Sequence, residues 1–330
     1  MYYTNDKDGN PTQPRLAIQM TGNQIGQIRG LLPHQDVEPT FQEVLDGKLK
    51  EFGSEADAYR KKSKDMRMLT ALLKKRENDE PFTKDDLIML YEINGTIEGF
   101  GYQKDPRIAE LRQGRNAEED MLVIFEYTRE QIAHVPSQIN ENTKAYVGQL
   151  EPGIFQRLPE NLEHVYTSFP DKKIQRENIE IGGKSAEQLI SEMETAGINI
   201  SDYTKSMLKN REFVPGKNPE EATLIRLTVA DLGFKSSATT DQIYERAQIL
   251  GLELCPADTG PNYRLKYRNQ PLNEWICMGM KQIAGSGGYP RVFGLGRSEG
   301  GLWLYDTLAG PGYKWGPENS FVFRLRKSES

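Results

Sequence analysis

The sequence predicts an α+β protein with a helical N-terminal half, a mixed middle, a small helical unit and an antiparallel β-rich C-terminal domain. Three observations predict it. Capped segments with apolar residues at helical spacing fill the stretch from 36 to 135. Short apolar bursts separated by turns then run to 184, before further helical spacing over 185–250. From Gly251 onward the chain is rich in glycine and alternates apolar with charged side chains, as strands joined by turns do. With a mobile lead over 1–35, these observations give five segments: 1–35, 36–135, 136–184, 185–250 and 251–330.

The totals set bounds on function. A chain of 330 residues has material for more than one core, and fifteen Tyr, twelve Phe and three Trp are too many aromatics for a disordered chain. The net charge of -6 argues against a protein that coats polyanions through general phosphate neutralisation. That charge is uneven: from Gly251 to the end there are ten Lys and Arg against seven Asp and Glu, a local excess of positive charge. Two cysteines, Cys255 and Cys277, make no disulfide framework and point to a reducing compartment. The opening MYYTNDKDGNPTQPR has no apolar run after a basic start, and no window approaches 18 apolar residues, so a cytoplasmic protein without membrane attachment is expected.

In order along the chain, residues 1–35 are polar apart from Leu16, Ile18 and Met20, and read as a mobile lead or a short strand and turn. Thr40 and Glu43 have capping-box spacing ahead of Val44, Leu45 and Leu49. After Gly53 a second helix reaches about Lys75; its KKSK and KKR clusters suit nucleic acid, but Glu55, Asp57 and Asp65 interleave them as on a solvated face. Thr83 with Asp86, and Asn116 with Glu119, open two more helices. IGGKS at 181–185 resembles the end of a phosphate loop, yet the glycine required five residues before Gly183 is Asn178; Ser185 and Gln188 instead read as a capping box. A short helix follows from Ser201 to Leu208, and residues 228–250 have the outline of a helix-turn-helix. Its exposed positions, Asp241, Gln242, Glu245, Arg246 and Gln248, would set net negative charge against phosphate. GLGRSEGG, with no helix after it, reads as a hairpin turn.

The stretch 251–283 carries the densest pattern. Read as a strand, it places Tyr263, Leu265 and Tyr267 on one face and Arg264, Lys266 and Arg268 on the other. Phe321, Phe323 and Leu325 alternate in the same way with Val322, Arg324 and Arg326, ahead of Lys327. Such a basic face is either solvated, discouraging edge pairing, or a surface for anions. Trp303, Tyr305 and Trp315 beside loops add a candidate ligand platform. The residues therefore predict a non-enzymatic binding protein using Arg264, Lys266, Arg268, Trp303, Tyr305, Trp315, Arg324 and Arg326 toward an acidic protein or anionic ligand, with no cofactor. A nucleic-acid-associated regulator built on 228–250, and an enzyme with Cys277 as nucleophile, are the alternatives. His34, His134 and His164 are isolated, the cysteines have no zinc spacing, and no nucleophile elbow occurs.

LELCPADTGPNYRLKY and NEWICMGMKQI, with YTSFPDKKI, IEIGGKSAEQL and FVFRLRK, resemble a family of uncharacterised bacterial proteins over roughly residues 85 to 330. The resemblance implies no activity. GLWLYDTLAGPGYKWGPENSFVFRLRK is also similar to the ends of C-type-lectin-like domains, including variable ligand-binding ones, through its Trp, its Gly-Pro loop and its Phe-rich final strand.

Overall fold

A computed structural model describes residues 1–22, 24–33, 37–100, 103–285 and 287–326; His34 and Lys327 lie outside them. The chain is α+β and divides into two compact units, Met1–Glu126 and Tyr127–Ser330.

The first unit opens with strands β1 (Tyr2–Asn5), β2 (Pro11–Thr21) and β3 (Gln24–Arg29), paired antiparallel in that order. The segment expected to be a mobile lead is thus a meander. Leu16 and Ile25 explain it: each is buried against Leu45, Leu49 and Ala56 from the following helices. Those helices are α1 (Gln42–Lys50) and α2 (Ser54–Glu77). Thr40 does not cap α1, because Pro39–Phe41 form a 3-10 turn and Phe41 takes the cap position without a side-chain bond. Helices α3 (Lys84–Leu90), α4 (Pro106–Arg112) and α5 (Ala117–Phe125) follow. α3 starts on the Thr83–Asp86 capping box and α5 on Asn116, whose side chain accepts from two backbone N–H groups. Leu69, Leu72, Leu90, Ile108 and Leu111 close a second small core.

The second unit begins with β4 (Ile132–Ala133), β5 (Ala145–Val147), α6 (Ile154–Arg157), β6 (His164–Ser168) and β7 (Lys172–Ile181). Helix α7 (Ala186–Thr195), capped by Ser185 and Gln188, leads to β8 (Asn199–Ile200), α8 (Asp202–Leu208) and β9 (Glu220–Thr228). Then come β10 (Ala238–Thr239), α9 (Thr240–Ile249), β11 (Leu252–Glu253) and α10 (Thr259–Lys266). The last strands are β12 (Trp275–Met278), β13 (Ile283–Ala284), β14 (Pro290–Ser298), β15 (Gly301–Leu308), β16 (Lys314–Trp315) and β17 (Ser320–Leu325).

One sheet runs through most of these strands in the order β4-β5-β6-β7-β9-β17-β12-β14-β15-β8. Segments 136–184, 185–250 and 251–330 therefore share a sheet: β9, from the expected helical unit, lies between β7 and β17. The helix-turn-helix outline does not form. Residues 229–233 are a turn, in which Asp231 Oδ2 accepts from Thr228 N and Oγ1 and Val229 N donates to Asn319 O, so α9 has no partner helix before it in the motif. GLGRSEGG is the β14–β15 hairpin turn, as its glycines indicate.

The register fixes which side chains share a face. Trp275 pairs with Gly296 and Gly296 with Trp303; Cys277 pairs with Gly294 and Gly294 with Tyr305. Cys277 also pairs in parallel with Phe321, so Phe321 and Phe323 lie on this same face, where Tyr244 of α9 meets Phe323 edge-on at 6.1 Å and Trp315 meets Phe321 at 4.9 Å. The opposite face carries Phe293 and Asp306. α10 packs there through Gly260 against Phe293, and α8 bonds there through Thr204 Oγ1 to Asp306 at 2.8 Å.

Candidate functional site

The pattern that reads as a basic strand is helix α10. Tyr263, Leu265 and Tyr267 fit a strand by period two, but Tyr263 and Tyr267 are also four apart, and their rings stack at 5.5 Å with 8° between planes. Pro261 suits a first helical turn, and Gly260 lets the helix approach Phe293, where a Cβ would come within 2.9 Å. On the helix Arg264 and Lys266, two apart, point to opposite sides, and Arg268 lies beyond its end.

Arg264 is fully buried. Its Nη1 donates to Gln270 Oε1 and, at 3.4 Å, to Gly296 O, while burial lowers its pKa to about 10. Lys266 Nζ donates to Asn178 O, and Arg268 donates to Leu265 O at 2.7 Å and Ala196 O at 3.2 Å. These three residues form no common surface. In β17 the alternation holds: Phe321 and Phe323 are buried. Arg324 nonetheless pairs with Glu220 at 3.0 Å and lies 3.5 Å from Glu253. Arg326 and Arg324 border a groove of about 1070 Å³ with Arg176, but Glu160, Glu221 and Glu253 line it as well. Trp315 is a buried anchor, not a platform residue, since its Nε1 donates to Thr240 Oγ1 at 2.9 Å.

Trp303 and Tyr305 share one face of β15, and Trp275 of β12, which the sequence pattern does not mark, lies on the same face. Trp275 is 49% exposed and meets the Tyr305 ring at 5.1 Å in a T-shaped contact. Tyr305 lies across β14, over Gly294, and its hydroxyl reaches Ile276 O at 3.4 Å and Cys277 Sγ at 3.7 Å on β12. Trp303 Nε1 donates to Ser298 Oγ at 3.1 Å. The two glycines make the floor: an added Cβ would fall 2.3 Å from Tyr305 at Gly294 and 2.4 Å from Trp275 at Gly296. A signal for this site exists in the sequence. Gly-Leu-Gly and Trp-Leu-Tyr have the same period two on adjacent strands, so the hairpin register sets rings beside glycines.

Across β12, β14 and β15 this face carries no charged residue. Its residues are Trp275 and Cys277 on β12, Val292, Gly294, Gly296 and Ser298 on β14, and Trp303, Tyr305 and Thr307 on β15. The helices α8 and α10 lie on the other side of the sheet, so here the rings themselves cover the strands.

Nucleophilic chemistry at Cys277 is disfavoured. Both cysteines are buried and unbridged, and burial pushes the Cys277 thiol up to about 12. His164, half-buried, is lowered to about 4 by burial and then by Lys173, while His134 Nδ1 lies 3.0 Å from Val147 O. Among the described residues no group of three His, Cys, Asp or Glu could hold a metal ion, and no helix is long and apolar enough to cross a membrane. Comparison with protein-family models, with curated proteins and with solved structures finds no match for the chain.

Proposed function

We propose that the Tyr127–Ser330 unit is a non-enzymatic binding module that takes an uncharged, ring-bearing ligand, a saccharide chain, on Trp275, Trp303 and Tyr305. The observation that carries this reading is the ring set itself: three partly exposed aromatic side chains on one face of β12, β14 and β15, two of them, Tyr305 and Trp275, seated over Gly294 and Gly296, with no charged residue on that part of the face. Aromatic rings held by packing offer large contact area at low entropic cost. A pyranose sets its C–H bonds against such rings and its hydroxyls toward their margin, where Ser298 and Thr307 stand. A nucleic acid would call for cations beside the rings.

Affinity electrophoresis of the full chain through gels containing hydroxyethylcellulose, mannan or dextran tests the reading. Retardation by at least one polysaccharide is expected, with loss on Trp275→Ala or Trp303→Ala at a nearly unchanged melting temperature. Unretarded wild-type protein in every gel, or variants retarded as strongly as wild type, would refute it.

A further inference from the structure

The first unit holds a groove of its own, independent of the aromatic face. It encloses about 1150 Å³ between β3, α1 and α2. Arg60, Lys64 and Arg67 of α2 line it at positions i, i+4 and i+7, one below the next along about 10 Å of helix. Arg60 is partly neutralised by Asp46 at 3.4 Å and Asp57 at 3.6 Å. Lys64 and Arg67 are exposed and, among the described residues, have no carboxylate within 4.0 Å. Elsewhere on this helix Lys61 meets Asp65 at 2.7 Å and Lys75 meets Asp86 of α3, so acids neutralise Arg60, Lys61 and Lys75 but not Lys64 or Arg67. Among the described residues Lys62 and Lys74 likewise have no carboxylate within 4.0 Å, and neither lines the groove.

An aromatic wall stands beside these cations. Tyr59 and Phe100 have ring centroids 5.4 Å apart, and Phe100 is 50% exposed. The Tyr59 hydroxyl accepts from Ile28 N at 3.1 Å, and Tyr59, Phe100 and Arg67 line the same groove. Unpaired cations in a row beside an exposed ring are what a phosphate-bearing planar ligand requires: charge for phosphate and a face for the base.

We infer that this groove binds nucleotide phosphate and base, with Lys64 and Arg67 on phosphates and Phe100 stacked on a base. The volume exceeds the usual small-ligand range, so it admits a short single strand as well as a free nucleotide. Two phosphate contacts predict an affinity that falls about sevenfold between 50 and 200 mM salt.

The test is fluorescence anisotropy of the full chain with a labelled eight-nucleotide single-stranded DNA, and competition by ATP. Lys64→Gln with Arg67→Gln should weaken binding tenfold or more and flatten the salt dependence. Lys62→Gln with Lys74→Gln, the same change in net charge outside the groove, should weaken it no more than about twofold. Phe100→Ala should weaken it severalfold without changing the salt slope. Displacement by ATP assigns the groove to free nucleotide, and its absence assigns it to a strand; both support the inference. No binding of either probe at 50 mM salt, or equal loss in the two double variants, overturns it.

Discussion

Replacing Gly294 by alanine puts a methyl group where the ring of Tyr305 lies. The added Cβ would stand 2.3 Å from Tyr305 Cζ and 2.5 Å from its oxygen. Carbon atoms in contact prefer about 3.5–4.0 Å, so the ring must retreat by about 1.2 Å or more. It cannot tilt freely, because Trp275 stands 5.1 Å away and the hydroxyl is tied to β12 through Ile276 O. Overpacking of this kind costs about 1–3 kcal/mol, offset by up to about 1 kcal/mol from the reduced freedom of the unfolded chain. The net loss lies between about 0 and 3 kcal/mol, centred near about 1.5, or about 3–6 °C in melting temperature at that centre for a unit of this size. Calorimetry measures the shift, and Trp fluorescence reports the displaced rings. Gly312→Ala is the control, since a Cβ there meets nothing within 4 Å. Equal melting temperatures and emission spectra for Gly294→Ala and wild type would refute the seating of Tyr305 on β14, and with it the proposed platform.

Three further outcomes follow from buried groups. Neither cysteine should react with iodoacetamide in the native protein at pH 8, because at a pKa of about 12 roughly one Cys277 thiol in ten thousand is ionised; rapid labelling that tracks native protein would contradict the burial. Asp258 Oδ2 accepts from Gly182 N at 2.9 Å and Gly216 N at 3.2 Å and is buried, so Asp258→Ala should cost about 2–5 kcal/mol in urea denaturation, with partial recovery in Asp258→Asn; a loss under about 1 kcal/mol argues against the clamp. His164 is lowered to about 4 from 6.5, so the unfolded chain binds its proton first as pH falls. Stability should therefore decline from about pH 6.5 toward 4, by about 1–2 kcal/mol once the partial exposure of the ring is discounted, and the slope should shrink in His164→Phe. An unchanged slope in that variant would assign the acid sensitivity to other groups.

What could be read in the sequence was local. Thr83 with Asp86, Asn116, and Ser185 with Gln188 each open a helix by bonding backbone groups two or three residues away, and all three do so in the fold. The aromatic side of β17 was legible for the same reason, since Phe321 and Phe323 show their own period. Distant contacts decided the rest. Tyr263 to Arg268 satisfies strand and helix spacing alike, and what selects the helix is the fit of Gly260 on Phe293 and the burial around Arg264. The opening meander is polar except where Leu16 and Ile25 find Leu45 and Leu49. Two of the three platform residues, Trp303 and Tyr305, could be named in advance. Trp275 could not, because its place beside Gly296 depends on a strand pairing that the turn alone does not specify.

The position of β17 has a bearing on biogenesis. The last strand of the chain is inserted between β9, to which it is antiparallel, and β12, to which it is parallel. Until Ser320–Leu325 leave the ribosome, the strands on either side hold two unsatisfied edges, with Ile225 and Leu227 on one and Ile276 and Met278 on the other. A chain lacking these six residues would carry two half-sheets ready to pair with foreign strands, so the unit is open to aggregation until β17 is in place.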